Sequence, residues 1–245
     1  MELTQYNQFV DELESEWNVL LAQSAVHVPF LRYEYLRTWW QTRGGGEWPE
    51  AELMLITARE NGQLVAAAPL FKTVHEGQPS LLLVGSIAIS DYLDLLAKPG
   101  YLAPFLEALL ALFSSEQFAD IQHLDLYNLL DSSPSLLTLE QAAQSAGWNY
   151  QQERLEHSPY IPLPGDWETY LSGIDKKQRH EIRRKMRRAE EAEAEIRWYT
   201  TTDPFLLDQD LNAFMDLMVQ DPEKATFLTE PMRRQFTLAA HNAFD

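Results

Sequence analysis

The chain has 245 residues, enough for one large domain or two modest ones, and its 45% apolar and 11% aromatic content supports a packed core rather than disorder. Its formal net charge is -18, concentrated early: residues 1–173 carry 7 basic and 23 acidic side chains, residues 174–245 carry 12 and 14. So acidic a chain repels nucleic acid and anionic membrane at long range, which argues against a general binder of either. The absence of cysteine rules out disulfides, thiolate metal sites and a Cys nucleophile, and fits a reducing cytoplasm.

In chain order, residues 4–22 read as an amphipathic helix, because Tyr6, Phe9, Val10, Leu13, Trp17 and Leu20 recur at spacings of three and four. The start, Met1-Glu-Leu-Thr-Gln, lacks the basic and apolar regions of a signal peptide, and no segment has the ~20 apolar residues that span a bilayer. Pro29-Phe30 leads into a second helix over residues 31–41, with Tyr35, Leu36, Trp39 and Trp40. Adjacent tryptophans on a helix suit a core position beside a rim position; the functional alternative is an aromatic wall of a ligand cleft. Gln41, Gly44 and Gly46 spell Q-x-x-G-x-G, a pattern that holds pyrophosphate in Gcn5-related acyltransferases. Here a helix precedes the glycines where a strand should, and Glu47-Trp48-Pro49 follows where a helix should begin, so the glycines read as a helix stop and loop.

Residues 52–60 and 63–74 flank Asn61-Gly62, the strongest short hairpin signal. Residues 80–86 predict a third strand and residues 90–96 a short extended piece, with Asp91, Leu93 and Leu95 on one side and Tyr92, Asp94 and Leu96 on the other. A desolvated carboxylate among strands is a candidate base; an exposed turn is the plainer alternative. Residues 101–113 predict a helix and 121–127 a strand. Asp131-Ser-Ser-Pro134 starts a helix that runs to Ala146 and stops at Gly147. Residues 148–155 and 159–163 alternate like strands, and Pro162, Pro164 and Gly165 form the best linker.

Asp166 caps a short helix over 167–171, and a basic helix follows: eight of the nineteen Lys and Arg residues lie between Lys176 and Arg188. At ~100° per residue, Ile182, Met186 and Ala189 share a narrow apolar stripe. Lys176, Arg179, His180, Arg183 and Arg187 share another face, with Lys177, Arg184 and Arg188 along its edge. Such a face suits a phosphate-bearing ligand, or it is a solvated surface that offsets an acidic protein. Residues 195–200 alternate like a strand, with Ile196 and Trp198 on one face; helices are expected over 204–219 and from Pro231 to about His241.

Two further chemistries find little support. The six histidines, at 27, 75, 123, 157, 180 and 241, make no i,i+3 or i,i+4 pair, so no metal site is expected, and no Gly-x-Ser-x-Gly elbow occurs.

The element order is helix, helix, three strands, helix, strand, helix, strands, and from about residue 195 it begins again. With the segment Pro29-Phe-Leu-Arg-Tyr-Glu-Tyr-Leu-Arg-Thr-Trp-Trp40, Gly85-Ser86 through Ser90-Asp-Tyr-Leu-Asp-Leu-Leu96, Trp167-Glu-Thr-Tyr-Leu171 and the Lys/Arg helix, the chain resembles the CelD/BioF2-like acetyltransferases. These are relatives of the FemAB peptidoglycan aminoacyltransferases. The resemblance implies an α/β fold: a Gcn5-related acyltransferase-like mixed sheet with flanking helices over residues 1–163, then, over 164–245, the basic helix and the helical start of a second copy. It implies acetyl-CoA or another acyl-CoA as cofactor and a small-molecule or glycan-precursor acceptor, without nucleic acid or stable membrane insertion. In that family the second copy transfers the acyl group. Here the residues reach only its start, so the acyl-CoA site is expected to be incomplete, in either a piece of a longer protein or a degenerate relative. The candidate binding residues are Lys176, Arg179, Arg183, Arg184, Arg187, Asp91, Tyr92 and Trp39. Two functions follow: an N-acyltransferase or the non-catalytic N-terminal portion of one, or a binding module that docks an anionic ligand or a protein partner.

Overall fold

The computed structural model describes residues 1–192 and 199–244. They form two compact units, one of residues 1–152 with the helices from Pro204 onward, the other of residues 153–203.

The first unit is built on a mixed sheet. Its centre is the hairpin of β2 (Glu52–Glu60) and β3 (Gln63–His75), turned by Asn61 at φ 50° and Gly62 at φ 79°. Two consecutive positive φ values are what a two-residue hairpin turn of matching twist requires, which is why Asn-Gly stands there. Both strands are buried along most of their length, as a sheet covered on both faces requires. β1 (Glu2–Tyr6) adds antiparallel to β2, β4 (Gln78–Leu83) antiparallel to β3, and β6 (His123–Asp125) parallel to β4. The order is therefore β1-β2-β3-β4-β6, with the short β5 (Leu96–Ala97) also on β3. A parallel neighbour needs a crossover, supplied here by α4 (Leu102–Phe113).

α1 (Glu12–Gln23) and α2 (Tyr33–Gln41) bring Trp17, Tyr33, Leu36 and Trp39 into the main core. The one-turn element α3 (Arg43–Gly46) follows with Arg43, Gly44 and Gly45 all at positive φ. α5 (Pro134–Ala146) begins at the Ser133 cap and ends at left-handed Gly147, as its sequence signals imply. In the second unit, α6 (Trp167–Gly173) and α7 (Lys176–Glu190) are capped by Asp166 and Asp175. Back in the first unit, α8 (Leu207–Met218), α9 (Pro222–Phe227) and α10 (Glu230–Phe244) surround a small core of Met215, Leu228 and Met232. Met232 lies over Gly45 and Pro231 over Gly46, while Gln235 meets Thr42 and Asn242 meets Thr38.

The mixed sheet with flanking helices is the expected α/β class. Several element expectations need correction. Residues 2–6 are a strand, not the start of a helix: Leu3 and Thr4 pair with Ala58 and Thr57, and sheet hydrogen bonds outweigh the helical spacing of Tyr6 and Phe9. The strand over 121–127 lies in the sheet as expected but is only His123–Asp125. Residues 148–155 and 159–163 form no strand. Trp148 Nε1 donates to Ser114 Oγ at 2.9 Å and Tyr150 OH to the Leu136 carbonyl at 3.3 Å, so their side chains hook onto helices instead of alternating across a sheet. α9 has no counterpart among the expected elements. The strand expected at 195–200 lies outside the described residues except at its end.

Candidate functional site

The site grows from an interruption along one strand edge. β3 is long enough to hold two neighbours there: β4 pairs with residues from Leu70 to His75, and β5 pairs with Ala67 and Ala66. β4 and β5 are both antiparallel to β3, so they run along its edge in the same direction. Residues 84–95 leave the sheet between them and return. The parallel pair β4–β6 is bonded over only three residue pairs, from Ser80↔His123 to Leu82↔Asp125, before the excursion begins. Ligands of open sheets with parallel strands bind beyond the carboxyl ends of those strands, where neighbouring connections part.

The excursion is held from four directions. Trp48 Nε1 donates to the Ser86 carbonyl at 2.8 Å, and the Ile87 amide donates to Glu47 Oε2 at 3.4 Å. Tyr35 OH donates to the Ile89 carbonyl at 3.2 Å and lies 2.9 Å from Ser90 Oγ. Asn128, just past β6 and at φ 62°, donates through Nδ2 to the Ile87 and Ser90 carbonyls at 3.1 and 2.8 Å. Asp94 accepts from Ser133 Oγ and Ser135 Oγ at the start of α5, both at 2.5 Å, and from the Leu95 amide at 2.7 Å. So fastened, the excursion presents Asp91 to solvent, with half-buried Tyr92 beside it at φ 59°. A tyrosine in the left-handed region is uncommon and persists only where its surroundings hold it, a feature that clusters at ligand sites.

Two carboxylates three residues apart thus differ in role. Asp91 is exposed, and its charge acts on Tyr35. Burial pushes the Tyr35 hydroxyl above its ordinary value; its contact with Ser90 opposes the shift and Asp91 adds to it. Asp94 is 1% exposed, and burial holds its carboxyl above the ordinary 3.8 against the opposing pull of Ser133, Ser135 and the Leu95 amide. The alternation expected over 90–96 is absent: Leu93, Asp94, Leu95 and Leu96 are all buried, because Tyr92 breaks the pleat before them. Asp94 binds the excursion to α5 and is closed to solvent.

Its raised value predicts a pH dependence. The native state keeps this proton to higher pH than the unfolded chain does, so the associated stability is full below the ordinary 3.8 and is lost as pH rises through the folded-state value. Asp94→Asn cannot ionise. The stability difference between parent and variant, from urea midpoints between about pH 4 and 7, should therefore move in favour of the variant as pH rises. A difference constant with pH would show that Asp94 titrates normally.

The other candidate residues lie elsewhere. Trp39 is fully buried, its ring 5.4 Å from Phe71, and so takes the core position of the tryptophan pair. Trp40 is the rim residue, with the Arg43 guanidinium 3.7 Å above it, and helps line an open cleft of about 400 Å³ with Phe9, Arg37 and Leu238. Lys176, Arg179, Arg183, Arg184 and Arg187 lie on α7, in the second unit. There Arg183 Nη2 pairs with Glu168 Oε2 at 2.6 Å and Arg184 pairs with Glu181 at 2.6 Å. Sequence reasoning missed Tyr35, Ser90 and Asn128. Asn128 carries no signal beyond being a polar residue after a strand, whereas the Ser133 cap is visible as Asp131-Ser-Ser-Pro134.

The residues around the excursion do not fit the pyrophosphate of a coenzyme A. Among the described residues, the charged side chains that hydrogen-bond to it or belong to it are Glu47, Asp91 and Asp94, all acidic. Several cations of the same unit are committed: Arg32 to Glu34, Arg37 to Asp11 and Glu14, Arg59 to Glu16, and Lys72 to Asp120. Among the described residues, no helix is long and apolar enough to cross a membrane.

No protein-family model and no curated protein matches the chain. Solved structures do. Wild-type TTHA1254 from Thermus thermophilus is similar with 17% identity and a TM-score of 0.37, over 66% of this chain and 100% of that one. AAC(6')-Iy in complex with the bisubstrate analog CoA-S-monomethyl-acetylneamine is similar with 12% identity and a TM-score of 0.37, over 66% and 100%. An acetyltransferase of Trypanosoma brucei is similar with 13% identity and a TM-score of 0.37, over 64% and 100%.

Proposed function

We propose that this chain is the non-catalytic, acceptor-holding part of an N-acyltransferase, in which residues 84–95 bind the acceptor through a primary amine. One observation carries the reading: the excursion between β4 and β5, fastened by Trp48, Tyr35, Asn128 and the α5 start, holds an exposed carboxylate beyond the end of a parallel strand pair. Asp91 supplies the charge for an ammonium group, and Tyr35, with Phe30 edge-on at 5.3 Å, supplies aromatic surface beside it. The acidic excess of residues 1–173 raises the local concentration of a cationic acceptor and lowers that of a polyanion.

The finer placement rests on the sequence segments that resemble the CelD/BioF2-like branch. In this reading the chain is the first part of a tandem arrangement, the acceptor is an amino sugar of a polysaccharide or cell-envelope precursor, and acyl-CoA is handled away from residues 84–95. The competing binding-module reading assigns the exposed surfaces to an anionic ligand or a protein instead.

Titration calorimetry with glucosamine and with N-acetylglucosamine tests the amine. The first should bind and the second should not, and Asp91→Asn should weaken glucosamine by about tenfold through loss of the charge-assisted contact. Equal affinity for the two sugars, or an Asp91→Asn variant with unchanged affinity, would remove this function.

A further inference from the structure

Cations are scarce in this protein, and one helix gathers eight of them. The chain has 37 acidic and 19 basic residues, so a run of cations this dense stands out against the rest of it. On α7 the ion pairs among the described residues are Arg183–Glu168, Arg184–Glu181 and Lys185–Glu181, and none involves Lys176, Arg179 or Arg187. Lys176 and Lys177 also occupy the first turn, where the helix dipole disfavours positive charge, and the Asp175 carboxylate there is already accepting from the Lys177 and Gln178 amides.

We propose that α7 binds the phosphate groups of a small diphosphate-bearing molecule through Lys176, Arg179, Arg183 and Arg187. Arg179, Arg183 and Arg187 follow one another at i,i+4, about 6 Å apart along the axis, so two neighbouring guanidinium forks can share one diphosphate. The middle arginine is already oriented: Glu168 on α6 holds Arg183 Nη2 at 2.6 Å, with its side chain still 48% exposed. Glu168 is therefore both an orienting group and an internal competitor for the anion. A bilayer surface fits less well. The apolar side of α7 is only Ile182, Met186 and Ala189, too narrow to lie in an interface, and the acidic residues elsewhere in the chain oppose approach to anionic lipid.

Titration calorimetry of the full chain with inorganic pyrophosphate tests the site, run beside circular dichroism and thermal melts. The Arg179→Ala/Arg187→Ala double variant should weaken pyrophosphate by about tenfold or more with helicity and melting temperature unchanged. Glu168→Gln should strengthen it, because Arg183 is released from its competitor. Arg187→Lys should lose part of the affinity, since a point charge replaces a fork. Unchanged affinity in the double variant, with or without a lower melting temperature, would overturn the site and leave the cluster structural. So would binding to phosphatidylserine vesicles without binding to pyrophosphate. Glucosamine titrations of the same variants probe residues 84–95 alone, so failure here is separable from failure of the acceptor function.

Discussion

Gly85→Ala is expected to destabilise the protein by about 3 kcal/mol or more and to abolish glucosamine binding. Gly85 sits where the chain leaves β4, at φ 116°, a backbone state that L side chains rarely adopt. A methyl group there would lie 2.7 Å from Leu93 Cδ2 and 3.0 Å from Leu93 Cδ1, with Ser90 Oγ at 3.3 Å. Leu93 is fully buried, so it has little room to move aside. Strain and overpacking each contribute about 1–3 kcal/mol. Gly62→Ala is the control. It also stands at positive φ, 79°, but an added methyl would meet no atom within 4 Å, so only the backbone cost of about 1 kcal/mol applies. Urea midpoints of the two variants give the comparison. Equal losses would mean that the packing of the excursion onto β4 is loose, and the amine site would lose its rigid base.

The sequence carries the local part of this architecture well and the pairing part poorly. Asn61-Gly62, Ser133-Pro134 and Gly147 each name a backbone conformation that a single residue type favours, and the elements they bound appear where expected. Residues 2–6 fail because periodicity within a segment does not say whether a partner strand exists. Residues 148–155 fail for the converse reason: they alternate, but Trp148 and Tyr150 find their hydrogen bonds on helices.

The candidate site shows the same divide. Asp91 and Tyr92 stand out because charged and aromatic residues break an apolar run, and they do lie at the tip of the excursion. What fastens that tip is long-range. Tyr35 reaches Ser90 across 55 residues and Asn128 reaches Ile87 across 41, and no local pattern announces either bond. Asp91 and Asp94 are alike in sequence, but only Asp94 meets Ser133 and Ser135, which removes it from solvent. Trp39 and Trp40 divide between core and rim as helical geometry requires, though which of the two faces inward depends on Phe71 in β3.

Acetyl-CoA supplied together with glucosamine is expected to give no thiol release above the blank with this chain, although glucosamine itself binds. Acyl transfer requires the thioester to be placed against the amine, with donors aimed at the developing oxyanion. Around residues 84–95 the coenzyme's phosphates would meet Glu47 and Asp91. At exposed positions like these each repulsion is modest and weakened by salt, but both act in the same sense against the coenzyme. Arg32, Arg37 and Arg59, in the same unit, offer no offset because they are engaged with Asp11, Glu14, Glu16 and Glu34. The features that favour an ammonium therefore oppose the donor, and acyl-CoA held at α7 through its phosphates would give binding heat without turnover. A thiol-detection assay with and without acceptor distinguishes the cases. Acceptor-dependent release that disappears in Asp91→Asn would place the chemistry at this excursion and make Asp91 a base rather than an ammonium ligand.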